Sequence, residues 1–348
     1  MKELNINKEG IYKFMKEHKE NFKYKVVYVK FSKYSKTYAY LIKDEVDIGS
    51  KVYINGKDKP LEVLNVELLS ESELPVPLKD MKYASIKEPI QESVNKILDK
   101  NKVLKRIEYD NEIVGREDII NDLMVSINKK RMRNSILIGA AGSGKTTIVK
   151  ALSNTIKDKY VMLAFNVGEL ISGTMYRGML EEKLVNIFND VLDFNKKHEI
   201  KIILFIDEFH MIISNAGCDG SVSMHDIIKT YLTDSNMIVI GATTVNEYKT
   251  YIKQDNALMR RLTPIYVSNL SSNDVIKILD NFSDHKLDKT LLSTILNETN
   301  NIPNTNNPDI SLEVLDRVLS RNKILGTEIN LVNIKYEINR IKESYMAI

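Results

Sequence analysis

Two short stretches carry residue types at spacings that could do chemistry on a nucleoside triphosphate. The first is GAAGSGKT, Gly139 to Thr146, which fits G-x-x-x-x-G-K-[ST] in full. Gly139, Gly142 and Gly144 let backbone N–H groups close around phosphate oxygens, and the positive end of a following helix points at the same anion. Ala140, Ala141 and Ser143 complete the loop, with Thr147 just beyond it. Lys145 can reach the β- and γ-phosphates, and the Thr146 hydroxyl can hold Mg²⁺. The second stretch is KIILFIDEFH, 201–210, an apolar run ending in two adjacent acids. Asp207 would sit at the magnesium, and Glu208 would polarise a water for in-line attack on the γ-phosphate. One carboxylate suffices for a magnesium-bound switch, whereas two favour hydrolysis. ATP and Mg²⁺ are therefore the expected substrate and cofactor.

Three further groups are weaker on their own. MIVIGATT, 237–244, ends in Thr243 and Thr244, which could hydrogen-bond a γ-phosphate or the attacking water. Arg260 and Arg261 in ALMRRL become candidate arginine fingers only if a neighbouring subunit's nucleotide lies opposite them. Met175, Tyr176 and Arg177 lie between Gly173 and Gly178, so an aromatic ring is placed on a turn unsuited to a core.

These residues need elements to position them. Five continuous apolar runs, SILIG, VMLAF, KIILFID, MIVIGATT and PIYVS, begin at 135, 161, 201, 237 and 264. Helical patterns separate the first four, which indicates parallel strands covered on both faces. The expected fold class is α/β, a P-loop module with a five-stranded parallel sheet. A helical domain follows over 271–348, opening with the Ser-x-x-Asp capping box SSND. Residues 1–85 read as a small β-rich, barrel-like domain of alternating strands, 86–109 as a helical linker and 110–270 as the nucleotide-binding domain.

Composition sets the remaining bounds. The chain has 348 residues, 43% hydrophobic and 28% charged, an ordinary soluble balance. No apolar run approaches the roughly 18 residues of a membrane helix, and the N-terminal segment lacks a signal-peptide hydrophobic region. A cytoplasmic protein without membrane contact is expected. The single cysteine, Cys218, excludes an internal disulfide. Net charge is +5 over 1–108 and −2 over 109–348, and neither value forces a nucleic-acid partner.

Six motifs in register, EIVGRED (112–118), GAAGSGKT, GELISGTMYRGMLEEKL (168–184), ILFIDEFH, IGATTVNEY (240–248) and DNALMRRL (255–262), resemble the first ATPase module of the Clp family of ring-forming AAA+ unfoldases. The resemblance covers about 110–270 and implies several roles. Val114 and Gly115 would border the adenine. Thr244 would sense the γ-phosphate. Arg260 and Arg261 would complete a neighbour's site in a homo-oligomeric, hexameric ring. Met175, Tyr176 and Arg177 would form an axial loop gripping a protein substrate. Ala141 replaces the family's usual proline, and Ile310 follows Pro308 and Asp309 where a basic residue is usual. The chain reads as a single-module relative with a different N-terminal domain. Two other readings stay open. One is an ATPase acting on nucleic acid, through the Lys/Tyr-rich strands of 23–43. The other is a nucleotide-dependent scaffold.

Overall fold

The computed structural model describes residues 23–32, 35–54, 60–86, 90–108, 113–174, 177–214, 223–284, 287–303 and 305–346. The chain divides into two compact units, Met1–Lys96 and Ile97–Ile348.

In the first unit, β1 (Tyr24–Lys30), β2 (Thr37–Ile42), β3 (Lys51–Ile54), β4 (Leu61–Leu69) and β5 (Tyr83–Ser85) close a barrel in the order β1-β2-β5-β3-β4. β1 lies antiparallel to both β2 and β4, with Val26 opposite Leu41 on one side and Glu67 on the other. Val27, Val29, Val52, Ile54 and Val63 fill the interior. Val26, Leu41 and Met81 form a second buried cluster, so β1 is covered on both faces at its centre. The β2–β5 pair runs parallel. Pro75 and Pro77 cannot join a ladder, so the chain leaves β4 through two 3₁₀ turns before re-entering the barrel as β5.

Helix α1 (Ile90–Lys100) spans the division between the units. The second unit begins its sheet with β6 (Leu104–Arg106), followed by β7 (Ser135–Ile138), β8 (Tyr160–Phe165), β9 (Lys201–Ile206), β10 (Val239–Thr243) and β11 (Thr263–Tyr266). The order is β11-β7-β10-β9-β8-β6. The last five strands in chain order run parallel, and β6 lies antiparallel on β8, pairing Leu104 with Phe165. The five parallel strands are those expected from the sequence; among the described residues a sixth, the antiparallel edge strand β6, joins them, and the segment read as helical linker to 109 is corrected in that it ends in this strand. Three residues are too few to show an alternating pattern; it is the ladder offered by β8 that makes them a strand.

Between strands run α2 (Glu117–Ile127), α3 (Lys145–Ile156), α4 (Val167–Ser172), α5 (Arg177–Lys197), α6 (His210–Ser214), α7 (Met224–Tyr231), α8 (Val245–Glu247) and α9 (Asn256–Met259). Ile120 and Leu123 of α2 and Ile148 and Leu152 of α3 pack with Leu137, Ile203, Phe205 and Ile240 on one sheet face. The alternate strand residues point the other way, where Phe165 meets Phe188 of α5 edge-on at 6.4 Å. Burial on both faces is why the strand runs are continuously apolar. Four helices, α10 (Ser272–Phe282), α11 (Lys289–Thr299), α12 (Asp309–Leu325) and α13 (Leu331–Met346), form a bundle with its own core around Leu279, Leu292, Val314 and Ile338. Ser271 caps α10 by accepting the Asp274 N–H. Among the described residues, no helix is long and apolar enough to cross a membrane.

Candidate nucleotide-binding site

The loop after β7 turns back on itself through Gly142 (φ +71°) and Gly144 (φ +85°), left-handed conformations that a side chain would strain. Helix α3 begins at Lys145, so its unpaired N–H groups face the concavity of the loop. The Lys145 ammonium donates to the carbonyls of Gly139 (3.0 Å) and Ala140 (2.8 Å). Burial lowers its pKa, against the opposing pull of Asp207, Glu208 and Glu247.

The Thr146 hydroxyl donates to Asp207 Oδ2 at 2.9 Å. Two oxygens bonded to one cation at about 2.0–2.1 Å and at right angles are separated by about 2.9 Å, so this pair has the spacing of an octahedral magnesium edge. Asp207 follows the last residue of β9, and Glu208 comes next with φ +49°. That conformation costs a non-glycine residue about 1 kcal/mol. The next residue, Phe209, is fully buried. Burial, then the charges of Glu247 and Asp207, push the Glu208 carboxyl above the usual carboxylate range.

The loop residues from Ala141 to Thr147 line a cavity of about 290 Å³ together with Asp207, Glu208, Thr244 and Asp309. A more apolar cavity of about 460 Å³ shares Ser143, Gly144, Thr147, Pro308 and Leu312 with it, and adds Val114, Leu270, Ile278 and Phe282. A polar end continuous with an apolar end is what a nucleotide's phosphates and base require. Gly115 itself does not line either cavity. Its φ is +67°, and a Cβ there would meet the Asp274 carboxyl at 2.8 Å.

Four contributors were not among the expected site residues. Arg116 is buried and donates to Ser268 O (2.7 Å) and Ser143 O (2.8 Å), tying the phosphate loop to the segment after β11. Its place in VGRED was the available signal. His210 and Glu247 form a cluster with Glu208, and the Thr-x-x-Glu capping box at 244–247 was readable in the sequence. Ile310 lies in the core of the bundle, while Asn306 donates to the Ala141 carbonyl at 3.1 Å.

The two arginines lie outside the cavities of their own chain. Arg261 donates to Thr233 Oγ1 (2.8 Å) and the Ala257 carbonyl (2.5 Å). Arg260 caps α9 and is exposed. Met175 and Tyr176 lie outside the described residues, as does Cys218; Arg177 opens α5. Lys183 donates to Gly173 O (3.3 Å) and Thr174 Oγ1 (3.1 Å), anchoring the chain just before the tyrosine segment.

Residues 135–270 match the AAA family, described as the ATPase family associated with various cellular activities. Over 228 residues the chain is 32% identical to the chaperone protein ClpB of Rickettsia felis, a match covering 61% of this chain and 26% of that protein. Over this span the chain is similar to the AAA+ ATPase modules of the Clp family. ClpB of Helicobacter hepaticus is 38% identical over 175 residues, covering 48% and 20% of the two chains. The chain thus spans about a quarter of the length of these curated relatives. Among solved structures, the extended Saccharomyces cerevisiae Hsp104:casein complex superposes with a TM-score of 0.56 at 25% identity, over 67% of this chain and 42% of that one. The Hsp104-ADP complex shares the fold, with a TM-score of 0.60 at 24% identity over 69% and 44%.

Proposed function

We propose that the chain binds ATP with Mg²⁺ and hydrolyses it at subunit boundaries of a homo-oligomeric ring, using the energy to remodel or thread a protein substrate. The observation that carries the reading is the convergence of Lys145, Thr146, Asp207 and Glu208 on one phosphate-sized cavity. In this assignment Gly139 to Thr147 cradle the phosphates, and Val114, beside Gly115, borders the base. Thr146 Oγ1 and Asp207 would hold Mg²⁺, which neutralises charge on the β- and γ-oxygens. Glu208 takes a proton from water as its oxygen attacks the γ-phosphorus, and the β–γ bridging P–O bond breaks to release ADP and phosphate. Thr244 donates to a γ-phosphate oxygen. The helical bundle 271–348 acts as a lid, because Pro308 and Leu312 close the base cavity from its side.

Arg260 is the better finger candidate, because Arg261 is held by Thr233 and Ala257. The protein substrate is carried over from the ClpB and Hsp104 relatives, the latter in complex with casein, and from the sequence of the Tyr176 segment. The barrel would then select clients. The test is Glu208→Gln and Lys145→Ala in the full chain. Glu208→Gln should bind fluorescent ADP normally and lose about 100-fold or more in turnover. Lys145→Ala should lose nucleotide binding. Normal hydrolysis by Glu208→Gln would remove the assigned base. Stimulation of turnover by single-stranded DNA or RNA, and not by unfolded protein, would favour the nucleic-acid reading.

A further inference from the structure

His210 stands at the centre of a hydrogen-bonded chain that begins at the cavity wall and returns to it. Its Nδ1 lies 3.3 Å from Glu208 Oε2 and 3.3 Å from Glu247 Oε2. Thr243 Oγ1 is also 3.3 Å from that nitrogen. The same Glu247 oxygen accepts from the Thr244 hydroxyl at 2.7 Å, from the Thr244 N–H at 3.1 Å and from the Thr243 hydroxyl at 3.3 Å. The ring is stacked on Tyr251 at 6.0 Å with planes 20° apart, so its orientation is set. Its side chain is 16% exposed, against 52% for Glu208.

A nitrogen placed between two carboxylate oxygens must carry a hydrogen, since a lone pair there would face two negative acceptors. That single hydrogen can serve Glu208 or Glu247, not both at full strength. Glu247 Oε2 already takes three other donors, which leaves little for a cation and makes the cluster a hydrogen-bond relay rather than a metal site. Thr244 lines the phosphate cavity. A phosphate oxygen presented to its hydroxyl competes with Glu247 for that hydrogen. When Glu247 loses the donor, its oxygen draws the His210 N–H towards itself, and Glu208 is released to accept from water.

We propose that His210 and Glu247 are positioning residues that couple the Thr244 hydroxyl to the carboxylate of Glu208, so that the base is freed only when a γ-phosphate is in place. The coupling rests on the ATPase reading above. It adds two residues that line neither cavity and act through Glu208.

The experiment compares His210→Leu, which removes the donor at similar size, with His210→Asn, whose amide N–H falls close to the place of Nδ1. Steady-state ATP turnover, fluorescent-ADP affinity and thermal melting are measured on the full chain. His210→Leu should lower kcat about 10- to 100-fold while KM and ADP affinity stay within about twofold, the signature of a misplaced base rather than lost binding. His210→Asn should recover to within about threefold of wild type, and His210→Leu with Thr244→Val should be little worse than the poorer single variant, since both cut one relay. Wild-type kcat in His210→Leu overturns the proposal. So does equal loss in the Leu and Asn variants, or a rise in KM at unchanged kcat. If wild type hydrolyses ATP and Glu208→Gln does not, while His210→Leu is unaffected, only the coupling falls. If wild type itself shows no turnover, the ATPase reading falls with it.

Discussion

Asp255 holds the turn that presents Arg260, and its carboxylate gives a measurable free energy. It caps α9 by accepting the N–H groups of Ala257 (2.8 Å) and Leu258 (3.0 Å). It also lies 2.8 Å from Lys229 Nζ and 2.7 Å from His225 Nε2, both on α7. Burial raises the Asp255 carboxyl, but the hydrogen bonds from Lys229 and the two backbone N–H groups outweigh it and hold it at about 2, below the ordinary 3.8. At about 1.4 kcal/mol per pKa unit, the ionised form is favoured in the folded chain by about 2 kcal/mol. Asp255→Asn keeps a capping oxygen and removes the charge. At pH 7 the variant should therefore be about 2 kcal/mol less stable in urea unfolding followed by circular dichroism. A carboxyl whose folded pKa is depressed contributes stability that is complete above its unfolded pKa. That contribution drains away as pH falls from about 4 towards 2. The gap between wild type and variant should thus be level from pH 7 to pH 5 and close below pH 4. A gap under about 0.5 kcal/mol at pH 7, the size of an unremarkable surface change, would refute the pairing. A gap equally large at pH 3 would refute its electrostatic origin.

Three other outcomes are expected. Arg260→Ala mixed with wild type should depress ATP turnover more than in proportion to its fraction, while Arg261→Ala should act less; turnover that follows the mixing ratio linearly would mean that neither side chain completes a neighbour's site. Gly241→Ala would place a Cβ 2.9 Å from Phe209 Cδ2 and 3.0 Å from its Cγ. Overpacking of this kind costs about 1–3 kcal/mol, and because Phe209 adjoins Glu208 the variant should also lower kcat; an unchanged melting temperature would show that the ring moves freely. Tyr176→Ala should leave basal hydrolysis intact and abolish unfolding of a fluorescent protein client, and retained unfolding would remove the ring from the substrate path.

The candidate site was legible because its sequence signals are local. A phosphate loop needs glycine, lysine and threonine at set intervals, whatever lies elsewhere, and GAAGSGKT states this within eight residues. Strands buried on both faces announce themselves as SILI and KIILFI for the same reason: each residue meets an apolar neighbour, so no polar position interrupts the run. The capping pair Ser271 and Asp274 was readable because its hydrogen bond closes within three residues. What the sequence by itself determined was thus a set of short-range requirements, sufficient to place the loop, the two acids and the strand that carries them. The tertiary structure decided everything that joins distant segments. β6 is a strand because β8 offers it an edge. Arg116 became part of the loop through carbonyls 27 and 152 residues away. Arg260 was separated from Arg261 by the reach of Thr233. His210 met Glu247 because β9 and β10 are neighbours in the sheet, which brings the ends of the two strands side by side. Hydrogen bonds and ion pairs act over a few ångströms in space, and separation along the chain carries almost no information about that distance until the sheet order is set.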